Sequence, residues 1–157
     1  MALRYELGDL LEADVDYICH QVNCQGRMGS GIAKAIRDKW PIVYKEYEAK
    51  YFEYLNRGGV MYLQGESQIV PIDNNKNVIN MFAQLFYGSD GKRYTSYDAF
   101  WACLGNIRNS IPKSSKIGFP WGIGCGLGGA NWEVIQTMID VVLGDDYDVY
   151  IYCLKEE

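Results

Sequence analysis

Gly122-Ile123-Gly124-Cys125-Gly126-Leu127-Gly128-Gly129 lies between a strand-like run, Lys116-Ile117-Gly118-Phe119-Pro120, and a helical pattern opening at Trp132. Five glycines in eight residues strip side chains from a strand-to-helix turn, so backbone N–H groups there can converge on an anion. A turn needed only for packing is served by one or two glycines, so this density favours a ligand loop. A second glycine-rich stretch, Gly26-Arg27-Met28-Gly29-Ser30-Gly31-Ile32, again stands between a strand-like run and a helical one. Two such turns from one sheet can hold the two phosphates of a dinucleotide-like ligand.

Working outward, strand-like segments occupy Leu3–Leu7, Tyr17–Val22, Val60–Gln64, Gln68–Ile72, Val78–Phe86, Lys116–Pro120 and Val149–Leu154. Several are continuous apolar runs, as expected of strands covered on both faces. Asp73-Asn74-Asn75-Lys76-Asn77 joins two of them by a short polar loop, which predicts an antiparallel hairpin and hence a mixed sheet. Four helical patterns intervene. Ile32, Ile36 and Trp40 define the first, ended by Pro41. Tyr44, Tyr47, Tyr51 and Tyr54 define the second, up to Gly58-Gly59. Tyr97, Trp101, Leu104, Ile107 and Ile111 define the third, with Thr95 and Asp98 at capping-box spacing. Trp132, Ile135, Met138, Ile139 and Val142 define the fourth, with Asn131 as its N-cap. The aromatic stripes read as core. The expectation is one α/β domain over residues 1–157, a three-layer α/β/α sandwich around a mixed central sheet.

Composition narrows the function classes. No apolar run approaches the roughly 20 residues a membrane span needs, and Met1-Ala2-Leu3 leads directly into strand-like sequence without a leader. The net charge is −5 with fifteen scattered basic residues, which predicts no strong nucleic-acid patch. Cys19, Cys24, Cys103, Cys125 and Cys153 are odd in number and lack CxxC spacing. Free thiols in a cytoplasmic protein are the expectation. No cluster has metal-ligand spacing, so neither metal nor cofactor is expected, and a monomer is. Gly124, Gly126 and Gly129 match GxGxxG, but only 28 residues follow Gly129, too few for a Rossmann half beyond that motif. There is no GxxxxGK[ST], and position 131 is Asn where a cysteine-dependent phosphatase would carry arginine.

Taken together, Gly8-Asp9-Leu10, His20-Gln21-Val22-Asn23-Cys24-Gln25-Gly26-Arg27-Met28-Gly29-Ser30-Gly31-Ile32-Ala33, Pro120-Trp121-Gly122-Ile123-Gly124-Cys125-Gly126-Leu127 and Tyr152-Cys153-Leu154 resemble a macrodomain. The resemblance is to the branch of terminal ADP-ribose protein glycohydrolase and the ADP-ribose 1″-phosphate phosphatases, and it runs over nearly the whole chain. It implies an ADP-ribose ligand, free or carried on a macromolecule. It also implies a role for each matching residue. Asp9, with Leu10 beside it, would accept from the adenine amino group, although from its residues alone Asp9 reads equally as a turn aspartate. Asn23 would meet the distal ribose, or else cap an Asx-type turn. Gly29, Ser30, Gly31 and Ile32 would form the first diphosphate loop. Ile123, Gly124, Cys125, Gly126, Leu127 and Gly128 would form the second, with Pro120 ahead of it also touching the ligand. Tyr152 and Leu154 would flank the adenine, or else belong to strand core.

The glycohydrolase of that branch uses a lysine at the end of a central strand and an aspartate after Gly-x-Gly-Leu. Here those positions hold Gln84 and Gly128, so the lysine mechanism does not transfer. Asn23 and His20, the only histidine, remain as candidate catalytic residues, although His20 lies inside a strand and reads more readily as a satisfied core residue than as a general base. Asn23, Gln84 and backbone donors would place a water, with the ligand's diphosphate taking its proton. Asp90 and Asp98 read as solvated or capping carboxylates. The expected function is hydrolysis at the distal ribose, of a phosphate ester or an ADP-ribosyl link, with a non-catalytic ADP-ribose reader as the alternative. A lone domain favours the enzyme, and the missing lysine and acid favour the reader.

Overall fold

In the computed structural model, which describes residues 3–154, the strands are β1 (Leu3–Leu7), β2 (Tyr17–Asn23), β3 (Ser67–Asp73), β4 (Lys76–Gln84), β5 (Lys116–Pro120) and β6 (Asp148–Cys153). The helices are α1 (Gly31–Lys39), α2 (Pro41–Asn56), α3 (Tyr97–Ser110) and α4 (Trp132–Leu143). The two ends of the expected domain, 1–2 and 155–157, lie outside the described residues.

The six strands run in the order β1-β6-β5-β2-β4-β3. Every neighbouring pair is parallel except β3–β4, the hairpin anticipated at Asp73–Asn77, where Asn74 and Asn75 take positive φ. The alternation of β2 and β4 divides the core. Ile18, Val22, Val78 and Phe82 pack with Ile36, Val43 and Tyr47 of α1 and α2. Cys19, Ile79, Met81 and Ala83 pack with Phe100, Cys103, Leu104 and Ile107 of α3 and with Ile135 and Ile139 of α4. Helices therefore cover both faces of a mixed sheet, which is the three-layer α/β/α architecture.

Parallel pairing has one consequence for function. The chain leaves β1, β2, β4, β5 and β6 at the same edge of the sheet, so the segments after these strands gather there. In open parallel sheets this carboxyl edge is where ligands sit.

Several local expectations are corrected. Val60–Leu63 is a 3-10 turn rather than a strand; only Leu63 is fully buried, while Met61 and Tyr62 stand in solvent. Four residues entered through Gly58-Gly59 have no neighbouring strand to pair with, so the turn closes on itself. Pro41 occupies the first turn of α2 as well as stopping α1, because its missing N–H costs nothing there. Thr95 is no cap: Ser96 caps α3 by accepting from the Ala99 N–H at 3.1 Å, and Thr95 is buried. Phe100 rather than Trp101 faces the core, Trp101 being half exposed. Asn131 caps α4 as expected, accepting from the Glu133 and Val134 N–H groups. All five cysteines are free thiols.

Candidate ADP-ribose site

Two cavities open at the carboxyl edge, with the glycine loops running between them. The larger, about 600 Å³, is lined by Asp9, Leu10, Gly31, Ile32, Pro120, Trp121, Tyr152 and Leu154, among others. The smaller, about 420 Å³, is lined by Gln21, Asn23, Arg27, Gly29, Ser30, Gln84, Tyr87 and Leu127, among others. The first loop thus contributes Gly29 and Ser30 to one cavity and Gly31 and Ile32 to the other. The second loop sends Pro120 into the larger and Leu127 into the smaller.

The loops carry unspent donors. At the start of α1 the first N–H groups have no intrahelical acceptor, and the Ser30 hydroxyl caps none of them. In the second loop the Cys125, Gly129 and Ala130 N–H groups donate internally, to Gly122, Gly126 and Gly124 carbonyls at 2.8, 3.1 and 2.9 Å. Among the described residues no protein acceptor takes the N–H of Gly124, Gly126, Leu127 or Gly128. Such donors, free and backed by a helix N-terminus, suit a diphosphate.

The glycines of the second loop divide into two kinds. Gly124, Gly128 and Gly129 are packed: an added Cβ would meet Gln21 Oε1 at 2.8 Å, Thr95 Oγ1 at 2.5 Å and Arg93 Cα at 3.0 Å respectively. Gly126 is exposed, has ordinary φ and would meet nothing within 4 Å. At Gly126 nothing in the protein itself requires glycine. Ile123 is core, and Cys125 is half-buried, donating to the Ile123 carbonyl at 3.4 Å, with its thiol pKa raised by burial. Neither forms part of either cavity wall.

A hydrogen-bonded chain ties this loop to the sheet. Gln21 Nε2 donates to Gln84 Oε1 and to Thr95 Oγ1, both at 2.7 Å, and Thr95 Oγ1 donates to the Gly124 carbonyl at 2.8 Å. Tyr94 and Thr95 N–H groups both donate to the Gly128 carbonyl. Gln84 Nε2 in turn donates to the Phe86 carbonyl at 2.7 Å. Gln21 and Thr95 were not anticipated as site residues. The signal was present for Gln21, an amide near the end of β2 that, like Asn23, lines the smaller cavity.

Asn23 is largely engaged by its own turn. Its Oδ1 accepts from the Gln25 N–H at 2.9 Å and the Tyr47 hydroxyl at 2.8 Å, and its Nδ2 donates to the Arg27 carbonyl at 2.9 Å. One amide N–H is left for the cavity. Asp9 caps a 3-10 turn at Leu10–Glu12, its Oδ1 accepting from the Leu11 N–H at 3.0 Å, which leaves Oδ2 available at the mouth of the larger cavity. Tyr152 is partly exposed, and Leu154 lies past the end of β6, 80% exposed.

His20 is not brought to either cavity. Its side chain is fully buried and lines neither cavity, with Nε2 2.5 Å from Asn80 Oδ1. Because Asn80 Oδ1 only accepts, Nε2 carries the proton and Nδ1 is left without a partner. Burial pushes its pKa down to about 4 against the smaller upward pull of Asn80, so the ring is neutral at physiological pH. Asp90 accepts from the Tyr94 hydroxyl and the Lys92 N–H, which hold its carboxyl below the usual range, and Asp98 sits exposed in the first turn of α3. Neither lines the smaller cavity, whose wall has no carboxylate, histidine or lysine among the described residues.

Residues 19–139 match the family described as Macro domain. A DNA ADP-ribosyl glycohydrolase of Mycobacterium tuberculosis is 28% identical over 96% of the chain and 42% of the relative's own length. An ADP-ribose 1″-phosphate phosphatase of Aspergillus fumigatus is 46% identical over 43 residues, 27% of the chain and 22% of the relative. The chain therefore spans less than half the length of either curated relative. Among solved structures, the macrodomain of Mycobacterium tuberculosis DarG superimposes with a TM-score of 0.71 at 24% identity, covering 94% of this chain and 96% of the other. No helix among the described residues is long and apolar enough to cross a membrane.

Proposed function

From the premise that this chain belongs to the Macro domain family, we propose that it binds ADP-ribose along the carboxyl edge of its sheet and hydrolyses a bond at the distal ribose. The adenine occupies the larger cavity, with Asp9 accepting from its amino group and Tyr152 and Leu154 beside it. The diphosphate crosses the N–H groups of Gly29–Ile32 and the free N–H groups of Gly124, Gly126, Leu127 and Gly128. The distal ribose enters the smaller cavity beside Asn23 and Gln84. The observation that carries this reading is the placement of two donor-rich loops between two cavities, one apolar and one amide-lined.

The bond broken is a phosphate ester or an ADP-ribosyl link, the chemistry named for the two curated relatives. With no ionisable base in the wall, Asn23 and Gln84 orient the ribose and a water through their remaining N–H groups, and the ligand's own diphosphate accepts the proton. His20 has no part in this step, since its neutral ring is fully buried and lines neither cavity. We read residues 1–157 as one domain that acts as a monomer in the cytoplasm, where cysteines outside disulfides persist.

A reader without chemistry is the second reading, favoured by that same absence of an acid or base. Incubation with ADP-ribose 1″-phosphate and with ADP-ribosylated protein or DNA, followed by product analysis and borohydride trapping, separates the two. Release of ADP-ribose without a covalent lysine adduct is expected. Asn23→Ala should lower turnover more than affinity, because orientation matters most in the transition state. A trapped lysine adduct overturns the mechanism, and tight binding with no turnover of any substrate establishes the reader.

A further inference from the structure

Three tyrosines of α2 are spent on one turn of the site as well as on core. The turn runs from Asn23, at the end of β2, to Arg27, and both residues line the smaller cavity. Among the described residues no backbone-to-backbone hydrogen bond closes it. The Tyr47 hydroxyl does so instead. It accepts from the Arg27 N–H at 3.0 Å and donates to Asn23, whose Oδ1 lies at 2.8 Å and carbonyl at 2.9 Å. Tyr44 donates to the Gly26 carbonyl at 3.3 Å, and a Cβ at Gly26, where φ is +76°, would sit 2.9 Å from the Tyr51 ring. Spacings of three and four residues put these three rings on one face of the helix.

The Tyr47 ring is fully buried and stacks on Phe82 of β4, with centroids 5.6 Å apart and planes at 16°. The core therefore fixes where its hydroxyl stands. Burial raises the phenol's pKa, so the group keeps its proton and can donate. Asn23 is held in one sense by its surroundings. Its Oδ1 takes the Gln25 N–H and the Tyr47 hydroxyl, while Nδ2 meets the Arg27 carbonyl. Turning the amide over would set donor against donor and oxygen against oxygen. The cavity is offered an N–H and no amide oxygen.

We propose that Tyr47 is a positioning residue for the distal ribose: from the buried face of α2 it holds Asn23 so that the amide presents one N–H to a ribose oxygen. The proposal rests on the ADP-ribose reading. A donor already locked in place serves a ligand best, because binding then costs no ordering of the turn. Tyr47→Phe removes the hydroxyl but keeps the ring and its stacking, so it frees the turn and leaves the fold.

The test titrates ADP-ribose and ADP into the wild-type chain and Tyr47→Phe. ADP shares the adenosine and the diphosphate but lacks the distal ribose. The preference for ADP-ribose over ADP should fall by about three- to tenfold in Tyr47→Phe, the range for one hydrogen bond, with the affinity for ADP little changed. In an Asn23→Ala background the same substitution should have a much smaller effect, because nothing is left to position. Gly26→Ala, which strains the turn from the Tyr51 side, should lower the same preference by a second route. An unchanged preference in Tyr47→Phe overturns the proposal. So does an equal loss on both ligands, which would make the hydroxyl purely structural, or a Tyr47→Phe loss that keeps its size without Asn23. If the wild-type chain binds neither ligand, the ADP-ribose reading falls and this role with it, a result distinct from the others.

Discussion

At the scale of single residues, Gly126 and Gly128 stand two positions apart in one loop and separate ligand from packing. A Cβ at Gly128 would press on Thr95 Oγ1 at 2.5 Å and the Gly124 carbonyl at 2.6 Å, so the position is glycine for the sake of the fold. At Gly126 the same atom finds open space and an ordinary backbone. Gly126→Val should therefore unfold at nearly the wild-type temperature yet lose ADP-ribose binding, its side chain filling the path of the phosphates. Gly128→Val should lose stability, by roughly 1–3 kcal/mol for overpacking. Thermal unfolding with calorimetry checks both. Normal binding by Gly126→Val would make the second loop purely structural. The glycine density was legible in the sequence, but its division was not, because which glycines touch a neighbour depends on Gln21, Thr95 and Arg93, distant in the chain.

Among elements, the bridge from β2 and β4 to the second glycine loop is the part that sequence reading missed. Thr95 looked like half of a capping box, three residues before Asp98. Ser96 takes the cap, and Thr95 turns inward to hold the Gly124 carbonyl and accept from Gln21. Adjacent Thr and Ser compete for one cap, and the winner is decided by what the loser can reach. The strands, hairpin and helix order were readable from apolar runs and turn residues. Val60–Leu63 was misread because a four-residue apolar run carries no period long enough to tell a strand from a turn. His20 shows the same limit: a strand places it, but the neighbouring strand decides which face is covered. Thr95→Val should cost about 0.5–1.5 kcal/mol for each of the two hydrogen bonds lost, since the Gly124 carbonyl keeps the Ala130 N–H and Gln21 Nε2 keeps Gln84. It should also weaken ADP-ribose binding through the loosened loop. Thr95→Ser should retain most of both. A stability loss with unchanged affinity would confine the bridge to a structural role.

At the scale of the whole molecule, the candidate site is laid out in order along one edge of the sheet. Parallel pairing of five strands brings Asp9, Asn23, Gln84, Pro120 and Tyr152 to one side of the sheet from positions spread over most of the chain. The larger cavity, first loop, second loop and amide-lined cavity follow in the order in which the proposed ligand presents adenine, diphosphate and distal ribose. That order carries a specific expectation about the far end. The smaller cavity, about 420 Å³, suits a terminal ribose, whereas a nicotinamide attached there would crowd Asn23 and Gln84. Calorimetric titration of the purified chain with ADP-ribose, NAD and AMP tests this most directly. The account predicts that ADP-ribose binds tightest, ahead of NAD by about tenfold or more, a difference of roughly 1.4 kcal/mol. Equal affinity for NAD and ADP-ribose would contradict it.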